Sequence, residues 1–192
     1  MADLLDPFVG ERAPRLAKRL IERFGGLSRA LSADATLQNE SEIAEACRIL
    51  QAARRLTIKA VREQLEGSPV RVNDPLLHEY LRSVLCADEH ERFHAIYVDR
   101  HGGYLRDETV ALGNDRQIRF RARMLLRRAL ELGADQLLLA HNHPSGDCRP
   151  SVDDVRTTDL LKTIAGYLDV VLIDHLIVTR SCVFSMRFGR KI

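Results

Sequence analysis

The chain has no tryptophan, and only four tyrosines and six phenylalanines among 192 residues, so its core must be largely aliphatic. It also lacks any apolar run near the roughly 20 residues that a membrane-spanning helix needs. Its first residues, MADLLDPFVGERAPRLAKRL, lack the successive basic, apolar and small-residue blocks of a secretory signal. A cytoplasmic location without a membrane partner is the expectation. Cysteine is scarce: Cys47, Cys86, Cys148 and Cys182 are far apart and form no CxxC pair. In a reducing compartment all four are expected as free thiols. An excess of charge of either sign is also missing. There are 29 basic and 27 acidic residues, divided 11 to 10 up to Ser68 and 18 to 17 beyond it. Neither part is the strongly basic body expected of a dedicated nucleic-acid binder.

What is present is an ordinary globular composition, 45% hydrophobic and 29% charged. One local charge run stands out: RQIRFRARMLLRR, Arg116 to Arg128, holds six arginines and no acid. It reads as a solvated helix face or as an anion-binding patch. There is no internal repeat and no low-complexity tract.

Periodicity divides the chain in two. Leu16, Leu20, Ile21 and Phe24 form a helical stripe stopped by Gly25 and Gly26. Ile43, Cys47, Leu50, Ala53 and Leu56 mark a second helix, and Glu66 to Pro75 has the composition of a linker. Domain boundaries of 1–68 and 69–192 follow. The second part alternates. DPLLHEYLRSVL is a helix with Asp74 as N-cap and Pro75 in first position. Two strand-like runs flank His101-Gly102-Gly103 as a hairpin. Then come a helix ended by Gly133, the strand DQLLLAH, a helix from Ser151, the strand VVLIDHLIVT and a last strand CVFSMRF. This order, α-β-β-α-β-α-β-β, predicts an α/β sandwich with a mixed sheet.

The chemistry concentrates in AHNHPSGDCRPSVDD, Ala140 to Asp154. His141 and His143 stand two apart at a strand end, so both imidazoles can face one ion. Imidazole suits zinc, and a catalytic zinc site takes three protein ligands. Asp154 is the candidate third ligand, one turn into the helix capped by Ser151. The same Ser-x-x-Asp is also explained as a capping box with Asp in place of Glu, and Pro144, Ser145 and Gly146 are ordinary turn formers. His175, between apolar residues, reads as a satisfied core histidine. Asp174 and His175 are also candidates for orienting a ligand histidine from behind. Cys148 is a neighbour of the loop and is open to oxidation. His78, His90, His94 and His101 have no metal spacing and are expected to be exposed.

The pattern H-x-H-P-x-G followed by P-S-x-x-D resembles the signature of the JAMM (MPN-type) zinc metallopeptidases. LLLAHNHPSGDCRPSVDD, with RALELGADQLLLAHNHPSG and LIDHLIVT, resembles the RadC proteins, which carry a JAMM-like domain. The resemblance runs from about Asp74 to the C-terminus. It implies a JAMM/MPN-like, cytidine-deaminase-like mixed sheet with flanking helices, preceded by a small, degenerate helix-hairpin-helix-like domain. The chain departs from the family in two places. LQNESEIAEACR stands where a Gly-x-Gly turn is common, which removes the argument for DNA binding there, and IRFRARML stands where a Pro-Arg-Glu start is usual. Carried over, His141, His143 and Asp154 would ligate zinc and Ser151 would hold an oxyanion. Glu91, just before the strand Phe93 to Val98, would be the general base, with Glu108 as the alternative. The implied reaction is hydrolysis of a peptide or isopeptide bond by a water that zinc acidifies toward a pKa of about 7. The alternatives are a non-catalytic RadC-type protein of DNA repair or replication, and an interaction scaffold on the same fold. A peptide or protein substrate is the expected partner and DNA a weakly supported one; the oligomeric state is left open.

Overall fold

In a computed structural model the chain is described at residues 1–33, 41–86, 90–110 and 118–192. It divides into two compact units, Met1–Ala60 and Val61–Ile192. The first is helical: α1 (Ala2–Val9), a 3-10 turn (Gly10–Arg12), α2 (Ala13–Phe24), α3 (Leu27–Ser32) and most of α4 (Ser41–Glu66). Leu5, Leu16, Leu20, Ile43, Cys47 and Leu50 form its core. Gly25 ends α2 with φ of +75°, a conformation that favours glycine. Ile21, expected on the buried stripe, is 48% exposed.

The second unit contains α5 (Pro75–Leu85), β1 (Phe93–Val98), β2 (Tyr104–Val110), α6 (Ile118–Leu132), β3 (Gln136–Asn142), α7 (Val152–Gly166), β4 (Val171–Val178), β5 (Val183–Ser185) and β6 (Arg190–Lys191). The expected order holds, with β6 added. As expected, Asp74 caps α5, its carboxylate accepting from the Leu76 amide at 2.9 Å. The strands form one sheet in the order β2-β1-β3-β4-β5-β6. Only β3 and β4 are parallel, joined through α7; the other pairs are antiparallel. This is the mixed sheet that the alternation predicted. The segment read as a linker is tied down, the Val70 amide donating to the Gly102 carbonyl at 2.8 Å.

Alternation along the strands separates two buried faces. Phe93, Ala95, Tyr97, Leu137 and Leu139 pack with Ala122, Leu125, Leu126 and Ala129 of α6 and with Leu161 and Ala165 of α7. The opposite residues, including Ile96, Val98 and Leu138, are also buried, which is why β1 is buried along its whole length and apolar except at His94. The β1–β2 hairpin closes on Asp99, whose Oδ1 accepts from His101 N at 2.7 Å and Gly103 N at 2.8 Å. A Cβ on Gly103 would lie 2.6 Å from Asp99 Oδ2, so the turn requires glycine there.

Two histidines expected at the surface are buried. His78 Nε2 lies 2.7 Å from the Val72 carbonyl. His94 stands on the second face, its Nε2 2.9 Å from Asp107 Oδ2 and its Nδ1 2.9 Å from Thr109 Oγ1. Their polar contacts, a carbonyl six residues back for His78 and the neighbouring strand for His94, follow from the fold and not from any metal-like spacing. Asp107 also accepts from the hydroxyls of Tyr80 and Tyr104, and Arg62 Nε lies 3.3 Å away. Burial alone would raise the Asp107 carboxyl. The close His94 imidazole and the hydrogen bonds from Tyr104 and Tyr80 outweigh it and hold the pKa well below the usual carboxylate range.

A depressed folded pKa adds stability that is fully present above the unfolded value of about 4 and is lost progressively as pH falls from there through the lower folded value. Asp107→Asn should therefore destabilise the chain by about 3 kcal/mol at pH 7 in urea denaturation. The gap to the parent should begin to narrow as pH falls below about 5 and go on narrowing below about 3, toward the depressed folded value; a gap independent of pH would show that the carboxylate's charge is not what the cluster uses.

Candidate metal centre

Because β3 and β4 are parallel, their carboxyl ends lie side by side, the usual place for a ligand site in such a sheet. His141 is the sixth residue of β3, and His143 N continues the pairing by donating to the Val178 carbonyl at 3.2 Å. The loop then turns through Pro144, Ser145 and Gly146, where Gly146 takes φ of +84° and donates to the His143 carbonyl at 3.1 Å. It re-enters at Ser151, the N-cap of α7. Ser151 Oγ accepts from Asp154 N at 3.1 Å, while Ser151 N and Oγ donate to Asp154 Oδ2 at 2.8 and 2.6 Å. The capping box is complete. The carboxylate's other oxygen, Oδ1, lies 3.1 Å from His141 Nε2, and Oδ2 lies 3.4 Å from His143 Nε2. His141 Nε2 and His143 Nε2 are 2.9 Å apart. His141, His143 and Asp154 thus form a group able to hold a metal ion.

The hydrogen bonds behind the imidazoles decide what they offer. His143 Nδ1 lies 2.7 Å from the Asp147 carbonyl, which can only accept, so that nitrogen carries the proton. Thr158 Oγ1 donates its one proton to the Asp154 carbonyl at 2.7 Å and must accept from His175 Nδ1 at 2.6 Å. His175 is fully buried, and burial, then the neighbouring His141, hold its pKa well below normal. Neutral His175 therefore presents a lone pair at Nε2, which accepts from His141 Nδ1 at 2.8 Å. In their neutral forms both His141 and His143 turn Nε2 lone pairs toward each other and toward a carboxylate. Burial would raise the Asp154 carboxyl; a hydrogen bond and positive charge from His141 when that ring is protonated, then hydrogen bonds from Ser151, hold it well below its ordinary value. Three acceptors at 2.9–3.4 Å suit a proton or a metal cation between them. The edges of a tetrahedron with zinc bonds of about 2.0–2.1 Å are about 3.3–3.4 Å long, so the donor set fits zinc. The Phe93 ring stacks on His141 at 4.8 Å and closes the apolar side.

The other expected residues fall as follows. His175 is both a core residue and the partner of His141. Asp174 turns away, accepting from His175 N at 2.7 Å, Arg187 N at 2.9 Å and the Ser185 hydroxyl. Ser151 spends its hydroxyl proton on Asp154. Glu91 is exposed in the segment before β1. That segment is held against the site strand by Asn142. Glu108 accepts from Arg128 at 2.8 Å and Arg106 at 3.2 Å. In the arginine-rich run, Arg127 pairs with Glu131 at 3.3 Å. Arg116 and the side chains of Arg119 and Arg121 lie outside the described residues, as does Glu89. Thr158 and Asn142 were not singled out from the sequence; an Asn between two ligand histidines on a buried strand was the available signal.

Residues 73–191 match the family model of the RadC-like JAB domain. The chain belongs to the RadC family. A UPF0758 protein of Leptothrix cholodnii is 37% identical over 173 residues, covering 89% of this chain and 78% of that protein. A UPF0758 protein of Rhodobacter capsulatus is 32% identical over 196 residues, covering 96% and 90%. Among the described residues of this RadC-family chain no helix is long and apolar enough to cross a membrane.

One expectation is corrected. Cys148 and Cys182 form a disulfide with Cα atoms 6.3 Å apart; only Cys47 and Cys86 remain thiols. The bond joins the ligand loop to the turn after β4, 34 residues on. Sequence separation concealed a proximity that the parallel β3–β4 pair creates. Cys182→Ser should cost about 2–4 kcal/mol against the oxidised parent in chemical denaturation and nothing against the reduced parent. An equal loss against both would mean that the serine, not the missing bond, is responsible.

Proposed function

We propose that this RadC-family chain is a zinc-dependent hydrolase of the JAMM type that cleaves a peptide or isopeptide bond. The observation that carries the reading is the convergence of two imidazole lone pairs and a carboxylate with no proton assigned among them. His141, His143 and Asp154 would hold the ion. Three protein ligands leave one tetrahedral position open, the arrangement of catalytic rather than structural zinc. Zinc supplies Lewis acidity at such a site, making water acidic near neutral pH and polarising a carbonyl.

The chain's own groups divide the remaining work. Asp154 is held by the Ser151 amide and hydroxyl, and its negative charge is further favoured in the first turn of α7. His175 and Thr158 fix the His141 tautomer, as carboxylates and carbonyls do at other metal sites. Glu91 takes the proton from the attacking water and returns it to the leaving amine. Glu91 stands two residues before Phe93, whose ring stacks on His141. Glu108 is engaged by two arginines and is the poorer base. Ser151 can assist an oxyanion only by withdrawing its proton from Asp154.

The full chain should bind about one zinc per molecule by elemental analysis after dialysis, as a three-ligand site requires. His143→Ala and Asp154→Asn should abolish that binding. A parent chain that takes up no zinc sinks the proposal.

Glu91→Gln should keep its zinc and lose about 10²–10⁴-fold in kcat on a peptide library cleaved by the parent. Glu108→Gln should lose little. The reverse ranking would move the base to Glu108.

A further inference from the structure

Asn142 lies between the two candidate ligand histidines and is 2% exposed. Alternation turns its side chain away from theirs. It does not idle in the core. Its Oδ1 accepts from Arg92 N at 2.7 Å and its Nδ2 donates to the His90 carbonyl at 3.1 Å. Its own amide donates to the Arg92 carbonyl at 3.4 Å. The orientation of the carboxamide is fixed by these partners, because a backbone N–H only donates and a carbonyl only accepts. Both ends of one side chain therefore grip the backbone on either side of Glu91, a residue otherwise in an exposed, irregular segment. An exposed glutamate before a strand would ordinarily sample many positions; here its Cα is tied to the strand that carries His141 and His143.

From this juxtaposition, and resting on the hydrolase reading above, we infer that Asn142 is a positioning residue that clips the His90–Arg92 backbone so that Glu91 is held beside the metal centre. Asn142 touches no ligand atom itself. Its effect on chemistry passes through Glu91. A catalytic base displaced by about 1 Å can cost about 10²-fold in rate, so losing the clip should act on kcat.

The test uses the zinc-loaded full chain with a library peptide that the parent cleaves. Asn142→Ala should lower kcat by about 10- to 100-fold, with KM and zinc affinity within about twofold. Its Arg92 amide should exchange with solvent faster than in the parent. In a double-mutant cycle with Glu91→Gln, Asn142→Ala should add almost nothing, because the base it positions is already gone. If Asn142→Ala does not fold, Asn142→Asp decides. That nearly isosteric change keeps the acceptor for Arg92 N and loses the donor to His90, so it should show a smaller kcat loss with the same non-additivity. Full additivity with Glu91→Gln, or a fall in zinc affinity matching the fall in kcat, would overturn the positioning role alone. A parent chain that binds zinc yet cleaves no peptide would overturn the hydrolase reading, and this role with it.

Discussion

Lone-pair repulsion among His141 Nε2, His143 Nε2 and the Asp154 carboxylate is the constraint around which the carboxyl end of β3 is arranged. The repulsion is not incidental to the packing, because separate hydrogen bonds enforce it on each member. His143 is held by a carbonyl that cannot donate, and His141 by a buried histidine whose only proton is spent on Thr158. Either histidine could relieve the clash by turning over, and each is prevented. Relief comes only from a cation. A proton can bridge two of the atoms; a metal ion serves all three, and the hydrogen bonds to Ser151 keep the third in reach.

Capping and metal binding first stand as rival explanations of Ser151 and Asp154. The geometry shows that they are not rivals. A carboxylate has two oxygens, and here Oδ2 closes the capping box while Oδ1 faces His141. The helix start positions the carboxylate, and an anion in the first turn also suits the helix dipole. The cap is thus the device that places the candidate third ligand, and Ser151 bears on the candidate site through Asp154.

The element order of the second unit was legible because short apolar runs marked strands such as β1 and β3, buried on both faces, and spacing near 3.6 with caps marked the helices between them. The convergence of His141, His143 and Asp154 was legible for a similar local reason: H-x-H and S-x-x-D each fix a face within a few residues. What the sequence hid was pairing across distance. Leu5 and Val9 carry a helical spacing for α1, but Pro7 inside it obscured the helix. β6 is two exposed residues with no pattern at all. The Asp107 cluster draws on α4, α5, β1 and β2, and His175 is joined to His141 by the β3–β4 register rather than by any spacing. Asp174 was a candidate supporter of a ligand histidine beside His175 because carboxylates commonly fill that role, yet strand alternation sends it to the other face.

The ligands come from two ends of a loop, His143 at its start and Asp154 beyond it, and a free loop of that length would lose the geometry to chain entropy. Three ties oppose that loss. The His143 amide extends the β3–β4 pairing to Val178, the Asp147 carbonyl holds the ring, and Cys148 anchors the loop's middle to Cys182. The bidentate contact of Arg149 with Asp147 stiffens the turn further, although exposed pairs of that kind contribute little by themselves. Only the disulfide responds to the redox state of the surroundings. Proximity decides whether two thiols can pair and the compartment decides whether they do, so a reducing compartment leaves the site to the other two ties. Those ties act directly on His143, the ligand nearest the loop, whereas the disulfide acts on the chain between the ligands. The donor set is therefore preorganised without the disulfide, and the disulfide narrows the excursions of the loop around it.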